Sequence, residues 1–74
     1  MAVDWIRIMD ILGAEHTYAT GPRGNAIDIR VSERKITVTY LRNGNPAQRV
    51  FLKSNIVYYE YSSEHLRKKY ERQV

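Results

Sequence analysis

Residues 55–61 read NIVYYEY, and the fold class turns on how they are read. As part of a helix from Ser54 to Arg72 they would put Ile56, Tyr59, Ser63, Leu66 and Tyr70 on one stripe. As a strand after a turn at Ser54–Asn55 they pair Leu52 with Val57 and Val50 with Tyr59 on an inner face. The same register pairs Phe51 with Tyr58 and Arg49 with Glu60 on the outer face, and both are favourable cross-strand types. Ile, Val and three Tyr within seven residues are strand-forming, with a high side-chain cost in a helix. The composition selects a strand at about 56–61.

Working back from that strand, a two-residue period runs through the middle of the chain. AIDIRV (26–31) puts Ile27, Ile29 and Val31 on one face, and KITVTYL (35–41) does the same with Ile36, Val38 and Tyr40. With Glu33–Arg34 as the turn, Val31 faces Ile36, Ile29 faces Val38 and Ile27 faces Tyr40. A one-residue slip would turn one of the strands inside out. A loop from Asn43 to Ala47 then keeps apolar residues matched, pairing Tyr40 with Val50 and Val38 with Leu52 across to a strand at 48–53. In that register the inner face carries Ile27, Ile29, Val31, Ile36, Val38, Tyr40, Val50, Leu52, Val57 and Tyr59.

The two ends read as helices. In DWIRIMDIL (4–12), Trp5, Ile8, Met9 and Leu12 fall at i, i+3, i+4 and i+7, with Asp4 as N-cap and Gly13 as the stop. SSEHLRKKYERQ closes the chain as a helix at about 63–72, capped by Ser62 or Ser63. Glu64–Lys68 and Arg67–Glu71 are spaced as supporting ion pairs. Between the first helix and the strands, TGPRGN (20–25) is a loop by its Gly and Pro content. The expected fold is α+β over residues 1–74: an N-terminal helix, a four-stranded antiparallel β-meander and a C-terminal helix. A fifth strand at Thr17–Thr20 would close the sheet as a small SH3-like or Sm-like barrel, a likeness of layout that no residue motif accompanies.

Composition narrows the function. The chain has 74 residues, 43% of them apolar, enough for one domain with one core. The absence of Cys excludes a disulfide framework and Cys-based zinc sites. Val3–Leu12 is broken by Asp4, Arg7 and Asp10, so it reads as neither a signal peptide nor a membrane span; a soluble, intracellular protein is expected. His16 and His65 stand in separate segments without partners at catalytic or metal-ligand spacing, and Ser54, Ser62 and Ser63 read as turn and cap residues. A nuclease built on Asp28, Glu33 and His16 is the only enzyme that can be sketched, so a non-enzyme without cofactor or metal is expected.

The formal charge is +4, and eight of the twelve cationic side chains are Arg, which suits phosphate or carboxylate recognition. The outer sheet face carries Arg30, Lys35, Thr37, Thr39, Arg49, Phe51, Lys53, Tyr58 and Glu60. Cations around a Phe51–Tyr58 pair are the ingredients of a nucleic-acid surface, phosphate contacts with base stacking. Arg23, Arg34 and Arg42 add loop cations, and Arg67, Lys68, Lys69 and Arg72 add cations on the last helix. The expected function is a small basic DNA- or RNA-binding module. In a competing reading Leu66 and Tyr70 lay the last helix over Phe51 and Tyr58, which makes the patch a second core. A third is a protein-interaction or homo-oligomerising module, an accessory factor or a specificity domain, built on six Tyr and eight Arg. There Tyr18 and Tyr61 are the exposed tyrosines, and Val3 and Ile11 extend an apolar strip.

Overall fold

Alternation of buried and solvent-facing side chains, the mark of a strand, begins at Trp5 and not at Ala26. The computed structural model describes residues 2–70. Its elements are β1 (Ala2–Val3), β2 (Trp5–Asp10), β3 (Glu15–Ala19), β4 (Asp28–Val31), β5 (Lys35–Arg42), β6 (Asn45–Leu52), a 3-10 turn (Lys53–Asn55), β7 (Ile56–Ser62) and α1 (Glu64–Tyr70). No N-terminal helix forms over 4–12. Ile6 and Ile8, two apart, are both fully buried, which a strand accommodates on one face and a helix does not. Leu12, assigned to the helix stripe, is 89% exposed at the tip of the β2–β3 hairpin. A stretch this short also has little helical stability of its own, so packing decides its state.

Nor do four consecutive strands form a meander. β4, β5 and β6 make a three-stranded antiparallel meander whose β4 edge is extended by the two-residue β1. β7 leaves that sheet and pairs with β2, which also pairs with β3, giving a second sheet of order β3-β2-β7. The reason lies at Lys53–Asn55, which forms a 3-10 turn and not a two-residue hairpin. The turn is tied down when the Lys53 N–H donates to the Arg34 carbonyl at 2.9 Å and the Asn55 carbonyl accepts from Ile11 at 3.0 Å. The segment expected as a barrel-closing fifth strand, 17–20, instead contributes to β3 within the second sheet. Register shifts between Met9 and Asp10, which face Tyr58 and Ile56, so Val57 is the extra residue of a bulge and is exposed.

The β4–β5 register is as expected, with Val31 opposite Ile36 and Ile29 opposite Val38. The β5–β6 register is not. The connection is the two-residue turn Asn43–Gly44, with φ of 52° and 82°, the positive signs of a type I′ turn. It pairs Tyr40 with Ala47, Val38 with Arg49 and Ile36 with Phe51. Phe51, half-buried, therefore faces inward with the exposed Arg49 on the same side of the strand, and Val50 and Leu52 face out, about half exposed. Ile27 and Val57, also assigned to the inner face, are exposed as well.

The core lies between the two sheets. Val3, Ile6, Ile8, Tyr18, Ala26, Ile29, Val31, Ile36 and Val38 are buried, with Phe51, Ile56, Tyr59 and Tyr61 packed against them. Asp4, where the chain passes from one sheet to the other, is held on three sides. Its N–H donates to the Ser62 carbonyl, its carbonyl accepts from the Thr20 N–H, both at 3.0 Å, and its carboxylate meets Arg67 of α1 at 2.7 Å. Helix α1 is capped by Ser63, whose Oγ accepts from the Leu66 N–H at 3.1 Å. Residues 71–72 of the expected helix lie outside the described residues.

The β2–β3 hairpin is closed by Asp10. Its carboxylate accepts from the Leu12 and Ala14 N–H groups, each at 2.9 Å, and sits 3.0 Å from His16 Nε2. The His16 hydrogen bond, followed by the Ala14 N–H, holds the Asp10 pKa below its ordinary value of 3.8. Stability from a lowered carboxylate pKa is present above the unfolded value and is lost as pH falls through the folded one. Asp10→Asn is therefore expected to flatten the fall of stability below about pH 4, measured by urea unfolding across pH; an unchanged acid limb would refute this. At Gly44 a Cβ meets nothing within 4 Å, so Gly44→Ala tests the backbone alone. It is expected to cost about 1–2 kcal/mol in a denaturant titration through the left-handed conformation of the turn.

Candidate functional site: a basic meander and an aromatic seam

Net charge is unevenly distributed along the chain. Residues 28–53, the β4–β6 meander and its turns, carry six cationic side chains against Asp28 and Glu33, a net +4; the remainder carries six cations against six acids. On the second sheet the cations are neutralised locally. Arg7 meets Glu60 across β2–β7 and Glu15 across β2–β3, and the Glu60 hydrogen bond raises its pKa. Arg67 pairs with Asp4 and Lys68 with Glu64. Lys69 lies over the Tyr70 ring at 5.4 Å and has no carboxylate partner among the described residues.

On the meander the picture differs. Arg30 points outward from β4 and pairs with Asp28 at 2.9 Å. Arg34, in the β4–β5 turn, Lys35, opposite Leu52, and Lys53 lie together at one end of the sheet, joined by the Arg34–Lys53 backbone bond. Lys53 Nζ is 5.2 Å from the Tyr59 ring centroid, a cation–π contact, and Tyr59 stacks on Tyr61 at 6.2 Å. No carboxylate pairs with Arg34, Lys35 or Lys53 among the described residues. Arg42 ends β5 beside the hairpin turn, at the opposite end. Arg23 sits in the exposed loop after β3, against a shallow cleft with Ala19, Thr20, Pro22 and Gly24.

The expected Phe51–Tyr58 stacking pair does not exist. Phe51 faces the interior of one sheet, and Tyr58 lies on the outer face of the other, opposite Met9. The last helix does not cover Phe51 either. Its ring lies 5.0 Å from His16 and 6.1 Å from Tyr18, both tilted contacts. These rings fill the seam where β3 and β6, the edge strands of their sheets, face each other. Tyr18 and Val3, expected on an exposed strip, are buried, and Tyr61 is half-buried.

Arg49 enters the same seam. It lacks the expected Glu60 partner; its Nη1 donates to the Tyr18 hydroxyl at 2.9 Å, and its Cζ lies 5.7 Å from the Tyr40 ring centroid. The Tyr18 hydrogen bond is the main cause holding its pKa above the ordinary guanidinium value. Tyr18, Asn25, Tyr40 and Arg49 line a cleft of about 240 Å³. Sequence reasoning placed Tyr18 on an exposed interaction surface and missed Asn25 and Tyr40 as site residues. The signal that brings Arg49 to them was the Asn-Gly dipeptide, a strong hairpin marker that fixes which way Arg49 points.

Among the described residues no group of three or more His, Asp or Glu side chains could hold a metal ion, and no helix is long and apolar enough to cross a membrane. No protein-family model, curated protein or solved structure matches the chain.

Proposed function

We propose that the protein is a small nucleic-acid-binding module that meets phosphates with its basic meander. One observation carries the reading: the whole net charge of +4 falls within residues 28–53, and Arg34, Lys35 and Lys53 gather there without carboxylate partners among the described residues. A cluster of uncompensated cations at a sheet end attracts a polyanion and releases its counterions on binding. The contacts are to the phosphate backbone, since the aromatic pair expected to stack on bases is taken apart by the fold.

The test is an oligonucleotide titration, single- and double-stranded, at several salt concentrations. Three phosphate contacts predict a log K against log salt slope of about −2 for single strands. Lys35→Glu with Lys53→Glu is expected to abolish the salt-dependent binding without changing the melting temperature by more than a few degrees. Absence of binding at low salt rules the function out.

A protein-interaction reading is supported by a different observation. Leu41, Val50 and Leu52 are exposed on the outer face of the meander, and β6 is an edge strand with no second partner among the described residues. Exposed apolar side chains along an open edge favour association with another chain. For a self-associating module, mass measurement in solution is expected to give a dimer that Val50→Lys converts to a monomer. A wild-type monomer at high concentration removes the homo-oligomer reading.

A further inference from the structure

Arg49, an exposed residue at the edge of the seam, is held by a partner unlike those of the cations paired with carboxylates. Arg7, Arg30, Arg67 and Lys68 each meet a carboxylate. Arg49 meets a phenol, which positions the guanidinium without cancelling its charge. Tyr18, which supplies that phenol, is itself buried, so one wall of the cleft is rigid. A second wall is fixed by Asn25, whose Nδ2 donates to the Thr17 carbonyl at 3.0 Å and whose Oδ1 accepts from the Ala19 N–H at 2.9 Å. Tyr40, half-buried, forms the third wall.

We infer that the Tyr18–Tyr40–Arg49 cleft is a binding site for a phosphate group, from a free nucleotide or from the end of a nucleic-acid strand. A guanidinium offers a planar fork of donors that matches phosphate oxygens two at a time. The Tyr18 oxygen accepts from Arg49, which leaves its own O–H as a further donor in the cleft lining. About 240 Å³ is below the size of a typical small-molecule pocket and suits a single oxyanion head with part of its substituent. The net +4 of the surrounding meander favours a phosphate monoester, with a charge of about −1.5 to −2, over a monoanionic carboxylate. The Tyr40 ring, over which the Arg49 guanidinium lies at 5.7 Å, holds the guanidinium beside the cleft. The site shares with the proposed function only that positive field; it lies in the seam between sheets, away from Arg34, Lys35 and Lys53.

The deciding experiment follows the Arg49 Nε–H and the tyrosine ring resonances by NMR at constant ionic strength. The probes are inorganic phosphate, a nucleoside 5′-monophosphate and, as the carboxylate control, acetate. Saturable shifts at Arg49 and Tyr40 are expected with phosphate and with the nucleotide, the nucleotide binding at least threefold more tightly. Acetate is expected to bind at least tenfold more weakly than phosphate. Arg49→Gln is expected to weaken phosphate binding at least tenfold. If that variant unfolds, Arg49→Lys, which keeps the charge and loses the fork, is expected to weaken it at least threefold. Shifts that track ionic strength without saturating, or that persist in both variants, overturn the site. Equal binding of acetate overturns the phosphate assignment in favour of an acidic peptide. The Lys35→Gln, Lys53→Gln protein, whose meander keeps a net positive charge, separates the two proposals: it should lose most oligonucleotide binding and keep a saturable, at most modestly weakened, phosphate response at Arg49.

Discussion

The positive backbone angles of Asn43 and Gly44 are the constraint on which the working surface depends. Strand side chains alternate with a period of two, so the number of residues in a hairpin loop decides which face every later side chain occupies. A type I′ turn uses two residues and matches the twist of the strands it joins. With two residues in the loop, Ile36 meets Phe51 and Val38 meets Arg49, and the apolar Val50 and Leu52 are left facing out. Matching apolar residues across the sheet would have reversed all four. Turn geometry prevails because the inward positions it supplies are still satisfied: Phe51 adds its ring to the seam, and Arg49 finds a hydroxyl and an aromatic face.

The same constraint divides the molecule electrostatically. The sheet built around β2 sets Arg7 between Glu15 and Glu60, and α1 lays Arg67 on Asp4, so cations and acids there are consumed by the architecture. These pairs are exposed or half-exposed and contribute modestly to stability. Their larger consequence is that Arg7, Arg67 and Lys68 are each neutralised by a carboxylate within the described residues. The meander has two acids for six cations, so the net positive charge of the protein is concentrated in that sheet.

His16 and Asp10 show how a residue without a sequence neighbour acquires a role. Six positions apart, they come together because the β2–β3 hairpin folds one over the other, and the carboxylate also gathers two backbone N–H groups of the tip. The imidazole then serves as a packing ring against Phe51, bridging the edge of one sheet to the edge of the other. The pair is structural in everything it touches, and it sets the shape of the seam in which Arg49 lies.

Several features were legible from local chemistry alone. Strands expected at 26–31 and 35–41 form at 28–31 and 35–42, and the pairing of Ile29 and Val31 with Val38 and Ile36 followed from their alternation, although Ile27 falls outside the strand and is exposed. The strand character of 56–61 followed from its β-branched and aromatic content, and of the two candidate caps, Ser62 and Ser63, the structure uses Ser63. What tertiary structure alone decided is which strands are neighbours. Trp5–Asp10 satisfies a helical stripe as well as an alternating one, and only a facing sheet that buries both Ile6 and Ile8 chooses between them. The partner of β7 was equally undetermined, since its inward residues fit β6 or β2, and the 3-10 turn carries it to β2. The site inherits that choice: Arg49 and Tyr18 are thirty-one residues apart, and nothing local to either residue foretells that two sheet edges bring them within a hydrogen bond.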